Sequence, residues 1–278
     1  MSIDYDNYNN GGLLADRYLK VEDISEGSYG IVSLAKDTKS NDRLVAVKYI
    51  TQFVRNNDKN DDLILEEAKQ EIDILHKLNS HPHITTLYDS FDTYLILEYC
   101  SRGDMYEIIR SHSGPTSTSD VIDVMSQLID AVQYAHSLGI YHRDIKPENI
   151  LVSEDWSVKL TDWGLATTEK ICTDFDVGSE RYMAPELFDH KNTDSYDAEK
   201  CDIWSLGICL LNIVFGKNPF TVANPSDKVF VNFAANRETL FDIFPTMSYE
   251  LFGVLRSALT FDPSNRNLDT IKHELSTV

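Results

Sequence analysis

The chain has few cysteines. Its 278 residues include four, Cys100, Cys172, Cys201 and Cys209, and no pair stands in a CxxC spacing. That speaks against a disulfide framework and for reduced thiols, as in the cytoplasm or nucleus. Long apolar stretches are missing too: the longest run, Leu206 to Phe215, is too short to span a bilayer. The opening MSIDYDNYNN lacks the basic start and apolar stretch of a signal or transit peptide. A soluble protein of the cytoplasm, the nucleus or both is expected, with no membrane partner. Positive charge is also scarce, with 25 Lys and Arg against 45 Asp and Glu and a net charge of −20. Such a surface repels nucleic-acid phosphate and anionic lipid, so no nucleic-acid partner is expected. It would either attract basic peptides or serve only as a solvated face. There is no internal repeat and no low-complexity tail, and a monomer is expected.

What is present suffices for a large core, since 42% of the residues are hydrophobic and 10% aromatic. Residues 1–17 read as a flexible segment, rich in Asn, Asp and Gly at its start. From Tyr18 the pattern is strand-like. Val21–Ile24 and Gly30–Ala35 flank a Ser/Gly turn, and Leu44–Ile50 is a β-branched strand. Residues 55–62 form a polar loop. Leu65, Ala68, Ile72, Leu75 and Leu78 then recur at spacings of three and four, which predicts a helix over 63–78 that stops near Asn79 and Pro82. Thr85–Tyr88 and Tyr94–Tyr99 read as strands joined by a short connection, Asp89–Thr93. Beyond Gly103 the character changes. Ser119-Asp120 could cap a long helix that ends at Gly139. Short strands at Ile150–Val152 and Val158–Leu160 follow, and past residue 186 the chain is mostly helical, with loops at 189–198 and 217–227. A strand-rich part followed by a helix-rich part implies two lobes.

The chemistry lies in His142-Arg143-Asp144-Ile145-Lys146-Pro147-Glu148-Asn149, followed by Asp162-Trp163-Gly164 and then Ala184-Pro185-Glu186. An Asp, a Lys and an Asn on one short loop can orient a hydroxyl, meet a phosphate and hold a divalent cation. These motifs, in this order, resemble the catalytic machinery of eukaryotic protein kinases. The resemblance covers residues 18–275. It implies an α+β, bilobal protein kinase fold. A small antiparallel β-sheet lobe with the αC helix would span 18–97, a hinge 98–103, and a larger, mainly helical lobe 104–275.

The resemblance assigns roles residue by residue. Ser25, Gly27 and Gly30 look like the glycine-rich loop over ATP phosphates, with Ser25 where the family has its first glycine. Val45-Ala46-Val47-Lys48 matches the VAIK strand, so Lys48 would hold the α- and β-phosphates and Glu71 would fix it in place, with Glu66 and Glu67 as rivals. Val32, Ala46, Met105 and Leu151 would line the adenine pocket, and Leu97 would flank it. Glu98 and Cys100 would offer backbone groups to the adenine edge, and Asp104 would meet the ribose or a basic substrate residue. Asp144 would take or orient the substrate hydroxyl proton, and Lys146 would neutralise the transferring phosphoryl. Lysine within D-x-K-P-E-N resembles Ser/Thr kinases. Asn149 and Asp162 would hold Mg²⁺. Leu75, Leu87, His142 and Trp163 would stack together, with Trp163 replacing the usual Phe. Glu186 should pair with Arg266, and Asp202 should brace the catalytic loop.

Arg143 resembles the arginine that pairs with a phosphorylated activation-segment residue in many kinases. Thr167, Thr168, Thr173 and Ser179 are candidates there, Ser179 being read as structural. Asp174 and Asp176 lie where the phosphate would sit: they either free the segment from phosphorylation or are solvated charges. Glu148 and Asp104 resemble carboxylates that select upstream basic residues, although Asn212 stands where such kinases often carry another Glu. The stretches 162–169 and 178–186 resemble the fungal Ran-type kinases of nutrient response and meiosis control. The expected activity is transfer of the γ-phosphate of Mg-ATP to Ser or Thr of protein substrates. The rival reading is a pseudokinase scaffold, for which Ser25 and Trp163 argue; a small-molecule kinase would lack the APE-containing segment.

Overall fold

A computed structural model describes residues 8–27, 30–50, 61–78 and 81–278 of the chain. Ser28 and Tyr29 in the expected phosphate loop, residues 55–60 of the polar loop, and the helix stop at Asn79 lie outside the described residues. The chain divides into two compact units, Met1–Ser80 with Ile84–Ser101, and His81–His83 with Arg102–Val278.

The first unit is a six-stranded antiparallel sheet in the order β1-β2-β3-β4-β6-β5, with one helix. Its strands are β1 (Leu13–Leu14), β2 (Tyr18–Gly27), β3 (Gly30–Asp37), β4 (Arg43–Ile50), β5 (Leu87–Phe91) and β6 (Tyr94–Glu98). The helix α1 (Asp61–Leu78) packs on β5. Its buried side runs through Ala68, Glu71, Leu75 and Leu78, with Ile74 also buried. Ile72, expected in that stripe, is only half-buried, and Glu71 occupies the stripe itself. A carboxylate is tolerated there because it faces a lysine, described below.

Residues 8–17 are not the flexible tail the composition suggests. Tyr8 and Leu14 join Tyr18, Ala35, Val45, Val47, Tyr94 and Ile96 in one apolar cluster, and β1 pairs with β2. The Tyr8 hydroxyl donates to the Tyr18 carbonyl at 3.0 Å. Arg17 grips the fully buried Asp37 through two hydrogen bonds, 2.7 and 2.8 Å. The β5–β6 connection is also tighter than expected: Asp89–Phe91 belong to β5, and Asp92 turns the chain at φ 49°. Thr85 and Thr86 precede β5, where the Glu98 side chain takes over part of the ladder by accepting from the Thr86 N–H at 3.2 Å.

The second unit is mainly helical. Helix α2 (Met105–Arg110) is followed by α3 (Thr118–Ser137), capped by Ser117 rather than Ser119. Ser117 and Asp120 form a reciprocal capping box, so the signal lay two residues earlier in the chain. Gly139, at φ 68°, follows the helix end as expected. Helix α4 (Ala198–Phe215) is buried on nearly every side, as its all-round apolar composition requires. It runs from the Asp197 cap to Gly216, whose φ of 68° is left-handed. Hairpin β7 (Ile150–Val152)/β8 (Val158–Leu160) and the short pair β9 (Ile171–Cys172)/β10 (Tyr196–Asp197) flank the loops that matter below. Helices α5 (Lys228–Ala235), α6 (Thr239–Ile243), α7 (Tyr249–Ala258) and α8 (Leu268–Leu275) complete it. Among the described residues no helix is long and apolar enough to cross a membrane. An antiparallel sheet unit and a mainly helical unit match the expected α+β class.

Candidate active site

In the first unit the register of the sheet gathers the expected nucleotide-facing residues. Val32 stands opposite both Ser25 and Lys48, Gly27 opposite Gly30, and Ala46 opposite Leu97. Gly30 has no room for a side chain: at φ 148°, a Cβ would stand 2.0 Å from the Tyr49 carbonyl oxygen. Lys48 Nζ donates to both Glu71 oxygens at 2.7 and 2.8 Å, and both side chains are buried. Glu66 and Glu67 are exposed, so of the three candidates only Glu71 meets Lys48. Ala46 and Leu97 are buried, as is Cys100. The Glu98 N–H donates to the Thr86 carbonyl at 2.9 Å, so it is not the group at this position that would meet a ligand. Leu75 and Leu87 are both buried in this unit.

In the second unit Asp104 bridges to Leu151, and Met105 is fully buried beside it in sequence. Asp104 also caps α2, accepting from the Glu107 N–H at 2.9 Å, and burial pushes its carboxyl up from its ordinary value. That cap is a structural duty the sequence reading did not give it.

The loop 142–149 is tightly determined. Asp144 is 7% exposed; its Oδ2 lies 3.1 Å from Lys146 Nζ, while its Oδ1 is buried with no hydrogen-bond partner among the described residues. Lys146 Nζ also donates to Ser179 Oγ at 2.8 Å. The Asn149 amide nitrogen donates to the Asp144 carbonyl at 2.8 Å and to its carboxylate at 3.3 Å, which commits Asn149's donors and leaves its oxygen as an acceptor. The loop hangs on Asp202: its two carboxylate oxygens accept the N–H groups of His142 and Arg143, each at 2.8 Å. His136, which the sequence reading did not single out, completes this brace through Nε2 at 2.8 Å from Asp202. Only its place in the last turn of α3 hinted at that.

Arg143 and Asp162 both adopt left-handed backbone, φ 66° and 59°. Trp163 is 1% exposed and its ring packs on His142, 4.6 Å between centroids. Its indole N–H is buried without a partner among the described residues, a cost that phenylalanine would not carry. Gly178, at φ 104°, passes so close to the loop that a Cβ would stand 2.6 Å from the Arg143 carbonyl oxygen. Glu186 and Arg266 form the expected pair, bidentate at 2.5 and 3.0 Å, with Arg266 fully buried over the Trp204 ring. Arg143 Nη1 donates to Asp174 at 2.7 Å, whereas Asp176 is exposed. Burial pushes the Cys172 thiol up, away from the reactive thiolate. Asn212 donates to Asn218, whose own amide donates to the Arg181 carbonyl at 3.1 Å.

The model of the protein kinase domain matches residues 18–274. The chain is 45% identical to Serine/threonine-protein kinase KSP1 of Saccharomyces cerevisiae, aligned over 99% of this chain and 33% of that protein. It is 41% identical to Serine/threonine-protein kinase ksp1 of Schizosaccharomyces pombe, over 92% of this chain and 56% of that protein. A further S. pombe protein, Negative regulator of sexual conjugation and meiosis, is 35% identical over 92% of this chain and 58% of its own length. The chain thus spans 33% to 58% of the length of these relatives.

Proposed function

The chain belongs to the protein kinase family, and on that premise we propose that it transfers the γ-phosphate of Mg-ATP to serine and threonine hydroxyls of protein substrates. The observation that carries this reading is Asp144 Oδ1, a buried carboxylate oxygen with no hydrogen-bond partner among the described residues, set beside Lys146 and Asn149. A buried acceptor left unmade is costly, and a substrate hydroxyl is the donor that would satisfy it. In the transfer the hydroxyl oxygen bonds to the γ-phosphorus, the bond from phosphorus to the β-bridging oxygen breaks, ADP leaves, and the hydroxyl proton passes to Asp144. Lys146, held between Asp144 and Ser179, lies beside the reacting oxygens and offsets their charge. Among the described residues no group of three or more His, Cys, Asp or Glu could hold an ion alone. Mg²⁺ takes one or two protein oxygens and completes its shell with phosphate and water. Asn149 Oδ1 and the Asp162 carboxylate would be the oxygens that hold it. The bound ion supplies charge neutralisation on the phosphates.

Lys48, fixed by Glu71, is assigned to the α- and β-phosphates, and the backbone of Ser25, Gly27 and Gly30 to covering them. Val32, Ala46, Leu97 and Leu151 are assigned to the adenine, with Glu98 and Cys100 at its edge and Asp104 at the ribose. The proposed kinase domain spans 18–275, with a sheet lobe over 18–97, a hinge over 98–103 and a helical lobe over 104–275. Glu148 and the net charge of −20 favour basic peptides. The likeness to a relative named as a negative regulator of sexual conjugation and meiosis supports a signalling role of the fungal Ran type, in nutrient response or meiosis control. The proposed setting is a monomer in the cytoplasm or nucleus.

The test is transfer of labelled γ-phosphate from Mg-ATP to a general basic protein by wild type, Asp144→Ala and Asp162→Asn. Labelled serine or threonine from wild type alone is expected. Nucleotide binding without transfer, before and after treatment with an activating kinase, would make the chain a scaffold.

A further inference from the structure

Tyr196 is a buried phenol that phosphoryl transfer does not use. It lies on β10, just ahead of α4, and is 4% exposed. Its hydroxyl donates to the Asp174 carbonyl at 3.1 Å and lies 3.4 Å from the Asp174 carboxylate. Arg143 Nη1 donates both to that hydroxyl at 3.3 Å and to Asp174 Oδ2 at 2.7 Å. Arg143 Nε donates to the Leu165 carbonyl at 2.8 Å. The next residue along the segment, Phe175, packs its ring on Tyr196 at 5.5 Å, and Cys172 stands opposite Tyr196 in the β9–β10 register. The segment from Leu165 to Phe175 is therefore fastened at four points to Arg143 and Tyr196.

Arg143 immediately precedes Asp144, holds a left-handed backbone and hangs by its N–H on Asp202. Its guanidinium contacts and the backbone that carries Asp144 are thus joined through a single residue. Among the described residues, Asp174 is the one carboxylate within ion-pair distance of Arg143. The Asp174 side chain is 55% exposed, and an ion pair that open to water holds little by charge alone. Tyr196 supplies what charge does not, by fixing the Asp174 backbone and carboxylate from the buried side. Burial by itself would lower the Arg143 pKa, yet the hydrogen bonds to Asp174 and Tyr196 leave it raised.

We infer that Tyr196 is a positioning residue: its hydroxyl locks Asp174 against Arg143, so a carboxylate already in the chain orders the segment 165–182, and no phosphoryl group need be added. This rests on the kinase reading above.

The test uses the full chain made in a bacterial host and shown free of phosphate by mass spectrometry. Hydrogen exchange over 165–182 is read beside kcat and the KM for ATP. Wild type should be protected there and transfer phosphate without a lag. Asp174→Asn and Tyr196→Phe should each speed exchange in that segment and lower kcat about tenfold, or about 1.4 kcal/mol in the barrier, with the KM for ATP little changed. Asp174→Glu should restore much of the loss. On an Arg143→Ala background neither substitution should cost more. Wild-type exchange and kcat in both variants, additive losses on the Arg143→Ala background, or protection that appears only after Thr167, Thr168 or Thr173 is phosphorylated would each overturn the inference. If wild type transfers nothing, the exchange comparison still decides the clamp, and the kinase reading fails separately.

Discussion

Asn149 holds Asp144 at two points, its amide donating to the Asp144 carbonyl at 2.8 Å and to its carboxylate at 3.3 Å. Removing Asn149 therefore removes a proposed Mg²⁺ ligand and loosens the proposed base together. Asn149→Ala should lower single-turnover phosphoryl transfer by about 10²–10⁴-fold, the range of a positioned acid–base group. Because the two residues act as one unit, the Asp144→Ala/Asn149→Ala double variant should be little worse than the slower single variant. Independent, multiplying losses would separate their roles.

Lys48 and Glu71 are both buried, and each side chain is nearly closed to water. Glu71→Ala takes away the carboxylate that faces the ammonium. A buried pair broken on one side costs about 3–5 kcal/mol, so urea unfolding should shift toward lower denaturant and the KM for ATP should rise. Unchanged unfolding with unchanged KM would show that Glu71 does not set Lys48.

Acid should act on the first unit through Asp37. Hydrogen bonds from Arg17 hold this carboxyl well below the usual carboxylate range. Its folded-state value is depressed, so the unfolded chain takes up the proton first. The stabilisation is fully present above the ordinary value near ~4 and falls away as pH drops below it. Melting temperature followed downward from neutral pH should decline through this window in wild type. Asp37→Asn should be less stable at neutral pH and lose less on acidification. Parallel curves for the two proteins would exclude this pair as the source.

The fork of Arg266 grips Glu186 at two points while its Nε donates to the Thr260 carbonyl at 2.9 Å. Lysine carries the charge but not the fork. Arg266→Lys should therefore destabilise the chain, and Arg266→Ala should do so by about 3–5 kcal/mol, as read by thermal unfolding. Wild-type melting in Arg266→Lys would show that charge alone suffices there.

The sequence was most legible where chemistry demands particular residues in a particular order. Asp144, Lys146 and Asn149 could be placed because their proposed roles tie them to one short loop, and the structure brings Lys146 and Asn149 each within reach of the Asp144 carboxylate. The helical period likewise announced α1 to within about its own first turn. It misjudged the stripe at Ile72 because periodicity ranks residues by hydrophobicity, and Glu71 is buried for its ion pair. The Ser117 cap was overlooked beside an equally suitable Ser119, since only geometry shows which side chain reaches the Asp120 N–H. Tyr8 looked like part of a polar tail, and its burial depends on strands that arrive later in the chain. Tyr196 carries no local mark, and His136 only its place in the last turn of α3. Their partners lie 22 and 66 residues away, and only folding brings them together.

The left-handed backbone at Arg143 and Asp162 also bears on timing. Each such residue costs about 1–3 kcal/mol and persists only where its surroundings over-determine it. Here the distortion flanks Asp144 and sits on Asp162 itself. The orientations that the proposed roles of these carboxylates need are thus fixed when the chain folds, before any substrate arrives. Less disorder remains to be lost in the encounter, and alignment becomes a property of the resting protein. A glycine at either position would relax the backbone and give up that readiness.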